Sequence, residues 1–130
     1  VLSHPLCIFM TDAAVPAPGE GQANPAAFGT YPKILGKYSR DVQLFTLEEA
    51  IRRMTSFPAE RLGLVDMGRI ATGHWADLVL FDPETVNDHT TLDRPDAPPE
   101  GIEAVLISGR IVARQGKLVS QERHGRVLRR

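Results

Sequence analysis

A short run of apolar residues near the amino terminus constrains the fold of this chain more than any other feature. Residues 6–10 read Leu-Cys-Ile-Phe-Met and contain no charged side chain. A continuous apolar run of this length is typical of a strand buried on both faces, as in a parallel sheet. Thr11 and Asp12 follow directly. The pattern therefore predicts that Asp12 stands at the carboxyl end of a buried strand.

Residues 30–64 carry the signals of three helices. Thr30 is the predicted N-cap of the first helix. Thr46 and Glu49 form a capping box, in which Thr46 accepts a hydrogen bond from the Glu49 amide and the Glu49 side chain reaches back to the cap. Residues 58–62 predict a short third helix, and Gly63 follows it at the usual position of a left-handed C-cap.

From residue 65 onward the pattern changes from helical to β. Ser108 and Gly109 separate two apolar runs and predict the turn of a hairpin. Residues 13–27 and 87–101 contain several prolines and no periodicity, so both are predicted to be irregular. The strand candidates are residues 68–70, 76–81, 104–107 and 111–113.

Most of the remaining charged and aromatic residues fit structural roles. Asp77 and Asp82 are expected to serve turns and strand ends, and Trp75 is expected to pack. Four residues of the second helix predict a solvated face with ion pairs four residues apart: Glu48, Glu49, Arg52 and Arg53. A basic cluster at the carboxyl terminus predicts a solvated tail: Arg123, Arg126, Arg129 and Arg130.

The charge balance and the length of the apolar runs argue against two classes of partner. Lys and Arg total 15 against 16 Asp and Glu, a formal net charge of −1. A nucleic-acid-binding protein needs a clustered basic excess. No apolar run approaches the roughly 18 residues of a membrane span. The sequence predicts neither a nucleic acid nor a membrane as partner.

The chain contains a single cysteine, Cys7, inside the apolar run. One cysteine cannot form an internal disulfide, which favours a reducing, cytoplasmic compartment. Cys7 is predicted to be a small buried hydrophobe rather than a reactive or metal-binding thiol. Metal ligands usually occur as clusters, and the histidines form no close-spaced pair, so they are predicted to be loop or surface residues: His4, His74, His89 and His124.

Four segments follow one another in an order that matches a known family. Residues 25–36 read Pro-Ala-Ala-Phe-Gly-Thr-Tyr-Pro-Lys-Ile-Leu-Gly. They resemble the loop and helix after the last barrel strand of the D-aminoacylase (N-acyl-D-amino-acid deacylase) family in the amidohydrolase superfamily, and residues 47–64 resemble its next helical pair. Residues 68–82 and 105–112 are similar to the segment leading into the small β-domain of amidohydrolases and to that domain's closing hairpin.

The resemblance implies an α+β fragment of a larger enzyme. The family combines a (β/α)8 barrel, which carries the metal, with a small β-sandwich built from both chain ends. Such a barrel needs about 250 residues, whereas this chain has 130 and starts without an initiator methionine or a signal-peptide pattern. We expect residues 1–64 to supply the last strand and helices of the barrel. Residues 65–130 would supply the carboxyl-terminal part of the sandwich.

The resemblance also gives Asp12 a chemical role. In relatives the acid at this position lies beside the metal and acts on the water that the metal activates. Zinc lowers the pKa of water to about 7, and a carboxylate within reach can take the proton and pass it to the leaving amine. From the residues alone, Asp12 fits equally well as the cap of the following turn. Relatives often have Ser-Asp-Gly where this chain has Thr-Asp-Ala, which leaves the substrate preference open.

The implied function is hydrolysis of the N-acyl amide bond of D-amino acids by a zinc-dependent full-length parent. Asp12 is its candidate catalytic residue and a possible metal ligand. The other ligands have no counterpart here, so the chain alone is expected to bind no zinc and to be inactive. Two alternatives stay open: a non-catalytic β-rich module that binds a ligand or associates with itself, and an amidohydrolase of cyclic amides. The expected partners are the substrate and either the missing amino-terminal part or a second copy.

Overall fold

The computed structural model describes residues 1–14, 23–119 and 122–128. A helical half is followed by an antiparallel sheet. The elements in chain order are helix α1 (Pro25–Lys33), a π-helical segment (Ile34–Asp41), helices α2 (Leu47–Met54) and α3 (Ser56–Leu62), and strands β1 (Leu78–Phe81), β2 (Ile102–Ile107), β3 (Arg110–Arg114) and β4 (Lys117–Leu118).

The apolar run at residues 6–10 is not a strand in the part of the chain that the structure describes. Phe9 is buried, but Leu6 and Met10 are exposed. The Phe9 amide donates a hydrogen bond to the Arg53 carbonyl at 3.2 Å. A strand needs a neighbouring strand to bond its amides and carbonyls, and here the run lies against the end of α2 instead. The predicted buried strand is therefore corrected to an extended segment with one buried ring.

Helix α1 begins earlier than the sequence predicts. Asn24 is the N-cap, and its side chain accepts a hydrogen bond from the Ala26 amide at 2.9 Å. Pro25 occupies the first helical position, where a missing amide hydrogen costs nothing. The Thr30 hydroxyl instead donates to the Ala26 carbonyl inside the helix, at 2.7 Å. The prediction of Thr30 as N-cap was wrong because the Asn24-Pro25 pair supplies a better start.

Two of the predicted helix signals are confirmed. Thr46 accepts a hydrogen bond from the Glu49 amide at 3.2 Å, and Gly63 ends α3 in the left-handed conformation with φ of 69°. The reciprocal half of the capping box was wrong. The Glu49 carboxylate bonds to Arg52 and Arg53, at 2.7 and 2.6 Å, rather than to its own N-cap. A charged partner one turn away competes successfully with a backbone amide.

The four strands form an antiparallel meander in the order β1-β2-β3-β4. Ser108 and Gly109 both have positive φ, 51° and 77°, which is the signature of the type I′ hairpin turn. The predicted hairpin is confirmed, and a second turn at Gln115 and Gly116 adds β4, which the sequence analysis missed. Residues 68 and 69 form a bend and residue 70 lies in no regular element, so the predicted strand at residues 68–70 was wrong.

One hydrophobic core joins the helical half to the first part of the β half. Its buried members are Phe9, Ile34, Leu35, Ala50 and Val86, and Phe81 and Ile102 pack against them. The core thus draws on residues from both sides of position 65, where the sequence pattern changes. The domain boundary at that position stays a prediction.

The segment between β1 and β2 is irregular, as predicted, and is bonded to the helices. Asn87 and Glu100 form an isolated antiparallel bridge. The Asp88 carboxylate is buried and pairs with Lys33 at 2.8 Å. Burial raises the pKa of Asp88, but the hydrogen bonds from Lys33 and Thr90 outweigh it and hold the pKa below its ordinary value.

The carboxyl-terminal tail is less solvated than its composition predicts. The Arg126 guanidinium lies 3.6 Å from the centroid of the Trp75 ring and bonds to Asp77 at 3.3 Å. The expected packing role of Trp75 therefore includes a cation–π contact. Arg123 is exposed as predicted. Arg129 and Arg130 lie outside the described residues.

Two glycines with positive φ differ in how closely the rest of the chain packs around them. Gly101 has φ of 72°, and a Cβ there would lie 2.5 Å from the Val86 amide nitrogen. Gly63 has a similar φ of 69° with open space around it. We expect Gly63→Ala to lower the free energy of unfolding by about 1–2 kcal/mol through backbone strain alone. Gly101→Ala should cost about 1–3 kcal/mol more because of the added clash.

Urea denaturation of both variants measures this difference. Equal losses at the two positions would contradict the close approach of Gly101 to Val86.

Candidate active site

Asp12 follows a segment that is anchored to two helices. The Phe9 ring is buried in the core. The Thr11 hydroxyl donates a hydrogen bond to the Ala26 carbonyl in the first turn of α1, at 3.1 Å. Asp12 comes directly after these contacts and is exposed. A carboxylate in this position is accessible to a substrate while the backbone next to it is held.

Arg53 fixes the amino-terminal segment from the side of α2. Its side chain is only 5% exposed and pairs with Glu49 at 2.6 Å. Its guanidinium also donates to the Leu2 carbonyl at 2.8 Å, and it lies 5.7 and 5.5 Å from the ring centroids of Phe9 and Phe45. The predicted pairing four residues apart is confirmed, but the predicted solvated face was wrong for Arg53. Phe9 and Phe45 cover this side of the helix.

Glu49 is the residue of this cluster whose titration is most strongly changed. The hydrogen bonds from Arg52 and Arg53 lower the pKa of Glu49 from its ordinary value of 4.5 to about 2. Hydrogen bonds to a carboxylate favour its charged form. Glu49 is therefore ionised across the range in which enzymes commonly work. It acts as a fixed negative partner for the two arginines and not as a proton carrier.

The structure does not bring the histidines together with Asp12 into a ligand set. Among the residues it describes, no group of three or more His, Cys, Asp or Glu side chains is placed to hold a metal ion. His4 accepts a hydrogen bond from the Leu6 amide, and His89 contacts Glu100 at 3.0 Å. His74 has a buried Nδ1 without a hydrogen-bond partner within the described ranges. The described residues alone do not fit a metal centre.

Cys7, Asp77 and Asp82 make contacts that stabilise the fold. Cys7 is half-buried and packs against the core. It is therefore less buried than predicted, but it packs as a small hydrophobe does. Asp77 accepts from the Ser108 amide at 2.7 Å in the hairpin turn. Asp82 accepts from the Glu84 amide and the Thr85 hydroxyl, both at 2.9 Å, just after β1. Their predicted roles at turns and strand ends are confirmed.

Sequence reasoning missed Arg40, which joins the two halves of the chain. One of its terminal nitrogens donates to the carbonyls of Pro83, Glu84 and Val86, at 3.4, 3.1 and 2.9 Å. Arg40 also borders a cleft of about 510 Å³. The cleft is lined by side chains from residues 35–47 and by Pro83 and Glu84 in the loop after β1. The Arg40-Asp41 pair looks like an ordinary exposed ion pair in sequence, so no local signal indicates the contact.

Among the described residues, no helix has the length and apolar character that a bilayer crossing requires.

Comparison with known proteins identifies the family. Residues 6–113 match the amidohydrolase family. The chain belongs to this family. An N-acyl-D-glutamate deacylase from Alcaligenes xylosoxydans is 40% identical over 130 residues, which is 100% of this chain and 26% of that protein. The chain thus spans about a quarter of the length of the curated relatives that it matches.

Solved structures agree with this assignment. A D-aminoacylase studied for its binuclear metal centre has a TM-score of 0.75 and 39% identity, covering 80% of this chain and 22% of that chain. An N-acyl-D-glutamate deacylase from Bordetella bronchiseptica, complexed with zinc and a phosphonate that mimics the tetrahedral intermediate, has a TM-score of 0.78 and 39% identity. It covers 85% of this chain and 23% of that chain.

The lowered pKa of Glu49 predicts a specific pH dependence of stability. Because the folded-state pKa of about 2 lies below the ordinary value of 4.5, the Glu49 contribution is present above pH 4.5 and is lost as the pH falls towards 2. Glu49→Gln should lower stability at neutral pH and flatten its decline in that acid range. The measurement is urea denaturation at a series of pH values.

Glu48→Gln is the matched control, because it removes a neighbouring, exposed carboxylate. Parallel pH curves for Glu49→Gln and the unaltered protein would show that the arginine pair does not hold this carboxylate in its charged form.

Proposed function

We propose that the whole protein hydrolyses the N-acyl amide bond of D-amino acids, as a metal-dependent hydrolase of non-peptide C–N bonds. The observation that carries the proposal is the 40% identity to an N-acyl-D-glutamate deacylase over all 130 residues. Asp12 also supports the proposal, because its carboxylate is exposed while the neighbouring Thr11 is hydrogen-bonded to α1. Residues 1–130 are the carboxyl-terminal portion of the enzyme in this proposal.

Asp12 is the proton carrier in the proposed reaction. Water attacks the carbonyl carbon of the N-acyl group, and Asp12 takes a proton from that water. The C–N bond then breaks, and Asp12 gives the proton to the leaving nitrogen. The acyl group leaves as a carboxylic acid, whose proton passes to the amino group of the D-amino acid. The products, a carboxylate and a D-amino acid with a protonated amino group, therefore balance in atoms and charge.

Zinc is the proposed cofactor of the whole protein. When bound, zinc makes a nucleophile from water at neutral pH. The described residues do not form a metal centre by themselves, so most ligands would come from outside this chain. Asp12 could contribute one ligand at most. The zinc-bound Bordetella bronchiseptica relative supports this choice of metal.

We also propose that the chain divides into two functional parts. Residues 1–64 would complete a (β/α)8 barrel with its last helices and the extended segment before them, and residues 65–130 would form part of a small β-sandwich. Apolar side chains exposed on the sheet support the second assignment, because such a surface favours a covering partner. They are Val79 at 55% and Leu118 at 80% exposure, which the strand register places on one face, and Leu80 at 61% exposure on the other face.

Asp12→Asn in the full-length, zinc-loaded protein tests the catalytic assignment. The amide keeps the shape but cannot carry the proton, so kcat for N-acetyl-D-glutamate should fall by about a hundredfold or more. Zinc content is measured alongside, and Asp93→Asn, which changes another exposed aspartate, is the matched control. Near-normal turnover of Asp12→Asn with intact zinc would exclude Asp12 as the proton carrier.

A substrate panel tests the substrate class. The full-length protein should hydrolyse N-acetyl-D-glutamate or another N-acetyl-D-amino acid, such as N-acetyl-D-leucine, faster than the L-enantiomers and faster than dihydroorotate or hydantoin. Faster turnover of the cyclic amides would contradict the proposed deacylase function and favour an amidohydrolase that acts on cyclic amides. The absence of turnover on every substrate would favour a binding module.

The 130-residue chain alone should show no deacylation with added zinc, because the described residues lack a ligand cluster. Measurable activity of the pure chain would overturn the proposal that the other ligands lie outside it.

A further inference from the structure

Thr11, the residue before Asp12, makes a hydrogen bond that takes no part in the proposed proton transfer. The Thr11 hydroxyl donates a hydrogen bond of 3.1 Å to the Ala26 carbonyl, 15 positions further along the chain. Thr11 is only partly exposed, whereas Met10 before it is 71% exposed. Between the buried Phe9 and the exposed Asp12, the Thr11 side chain therefore attaches the segment to α1.

The acceptor belongs to a well-fixed part of the fold. Ala26 lies in the first turn of α1, where the Asn24 cap accepts from the Ala26 amide at 2.9 Å. One turn further, Gly29 lies so close to Asp88 that a Cβ would be 2.1 Å from its carboxylate. Lys33, at the end of α1, forms an ion pair of 2.8 Å with the same Asp88 carboxylate. Helix α1 can therefore act as a rigid anchor for Thr11.

We propose that Thr11 is a positioning residue that holds Asp12 at the reacting atoms. The inference rests on the proposed function of Asp12. A proton carrier must lie within about 2.6–3.2 Å of the atom that it serves, and a small misplacement costs a large part of the rate. The Thr11–Ala26 hydrogen bond restricts the backbone directly before Asp12. Phe9 and Arg53 fix the segment further upstream.

Thr11→Val and Thr11→Ser in the full-length, zinc-loaded protein separate the hydroxyl from the shape of the side chain. Valine keeps the branched shape without the donor, and serine keeps the donor. With N-acetyl-D-glutamate, or the N-acetyl-D-amino acid that is turned over fastest, Thr11→Val should lower kcat by about tenfold. KM should change less than about twofold, and Thr11→Ser should keep kcat within about twofold of the original.

Thr30→Val is the matched control. The Thr30 hydroxyl donates to the same Ala26 carbonyl, at 2.7 Å, but Thr30 does not adjoin Asp12. Its replacement should leave kcat unchanged. A loss of kcat in Thr30→Val equal to that in Thr11→Val would show that the hydroxyls support α1 in general, and it would overturn the positioning role.

The double variant Thr11→Val/Asp12→Asn distinguishes the two proposals. If Thr11 works through Asp12, the valine should not lower the residual rate of Asp12→Asn further, because coupled residues are not additive. Multiplied losses, or a normal kcat in Thr11→Val beside a strongly impaired Asp12→Asn, would refute the positioning role alone. A nearly normal Asp12→Asn would refute the proposed role of Asp12 as proton carrier and the positioning role with it.

Discussion

The guanidinium of Arg53 joins the amino-terminal segment to the helices. Burying a charged group is unfavourable unless partners satisfy it, and Arg53 is satisfied by the Glu49 carboxylate, the Leu2 carbonyl and the faces of two phenylalanine rings. The Arg53 backbone carbonyl also accepts the Phe9 amide. One residue therefore bonds the segment at two places. Phe9 is buried where the segment is attached, and Asp12, three residues further along, is exposed.

A second arginine has the same function between the helical half and the sheet. Arg40 donates to three carbonyls of the loop after β1, and Gly36 allows the same loop to approach closely, since a Cβ there would lie 2.3 Å from the Val86 carbonyl oxygen. Val86 is fully buried as a result. Backbone carbonyls of an irregular loop need donors when they leave solvent, and Arg40 supplies them where no neighbouring strand does.

Local signals in the sequence predicted the parts of the fold that depend on local contacts. Thr46, Gly63 and the Ser108-Gly109 turn behave as expected because each acts on backbone groups within a few residues. The strand at residues 6–10 and the solvated Arg53 were wrong because both depend on distant neighbours. Arg53 follows Ala50, the most buried position of α2, by one helical turn, and this spacing was the available signal that its side chain faces inward.

The candidate site shows the same division between local and distant contributions. The sequence indicated Asp12 through its place after an apolar run, and the structure adds contacts that restrict the neighbouring backbone, at Phe9 and at Thr11. These contacts hold the backbone before a single exposed carboxylate, whereas the described residues form no metal-ligand cluster. A proton carrier and a metal centre impose different demands, since the first needs one well-placed group and the second needs several converging ones. The proposed role of Asp12 makes only the first demand on this chain, which spans about a quarter of the length of its N-acyl-D-glutamate deacylase relative.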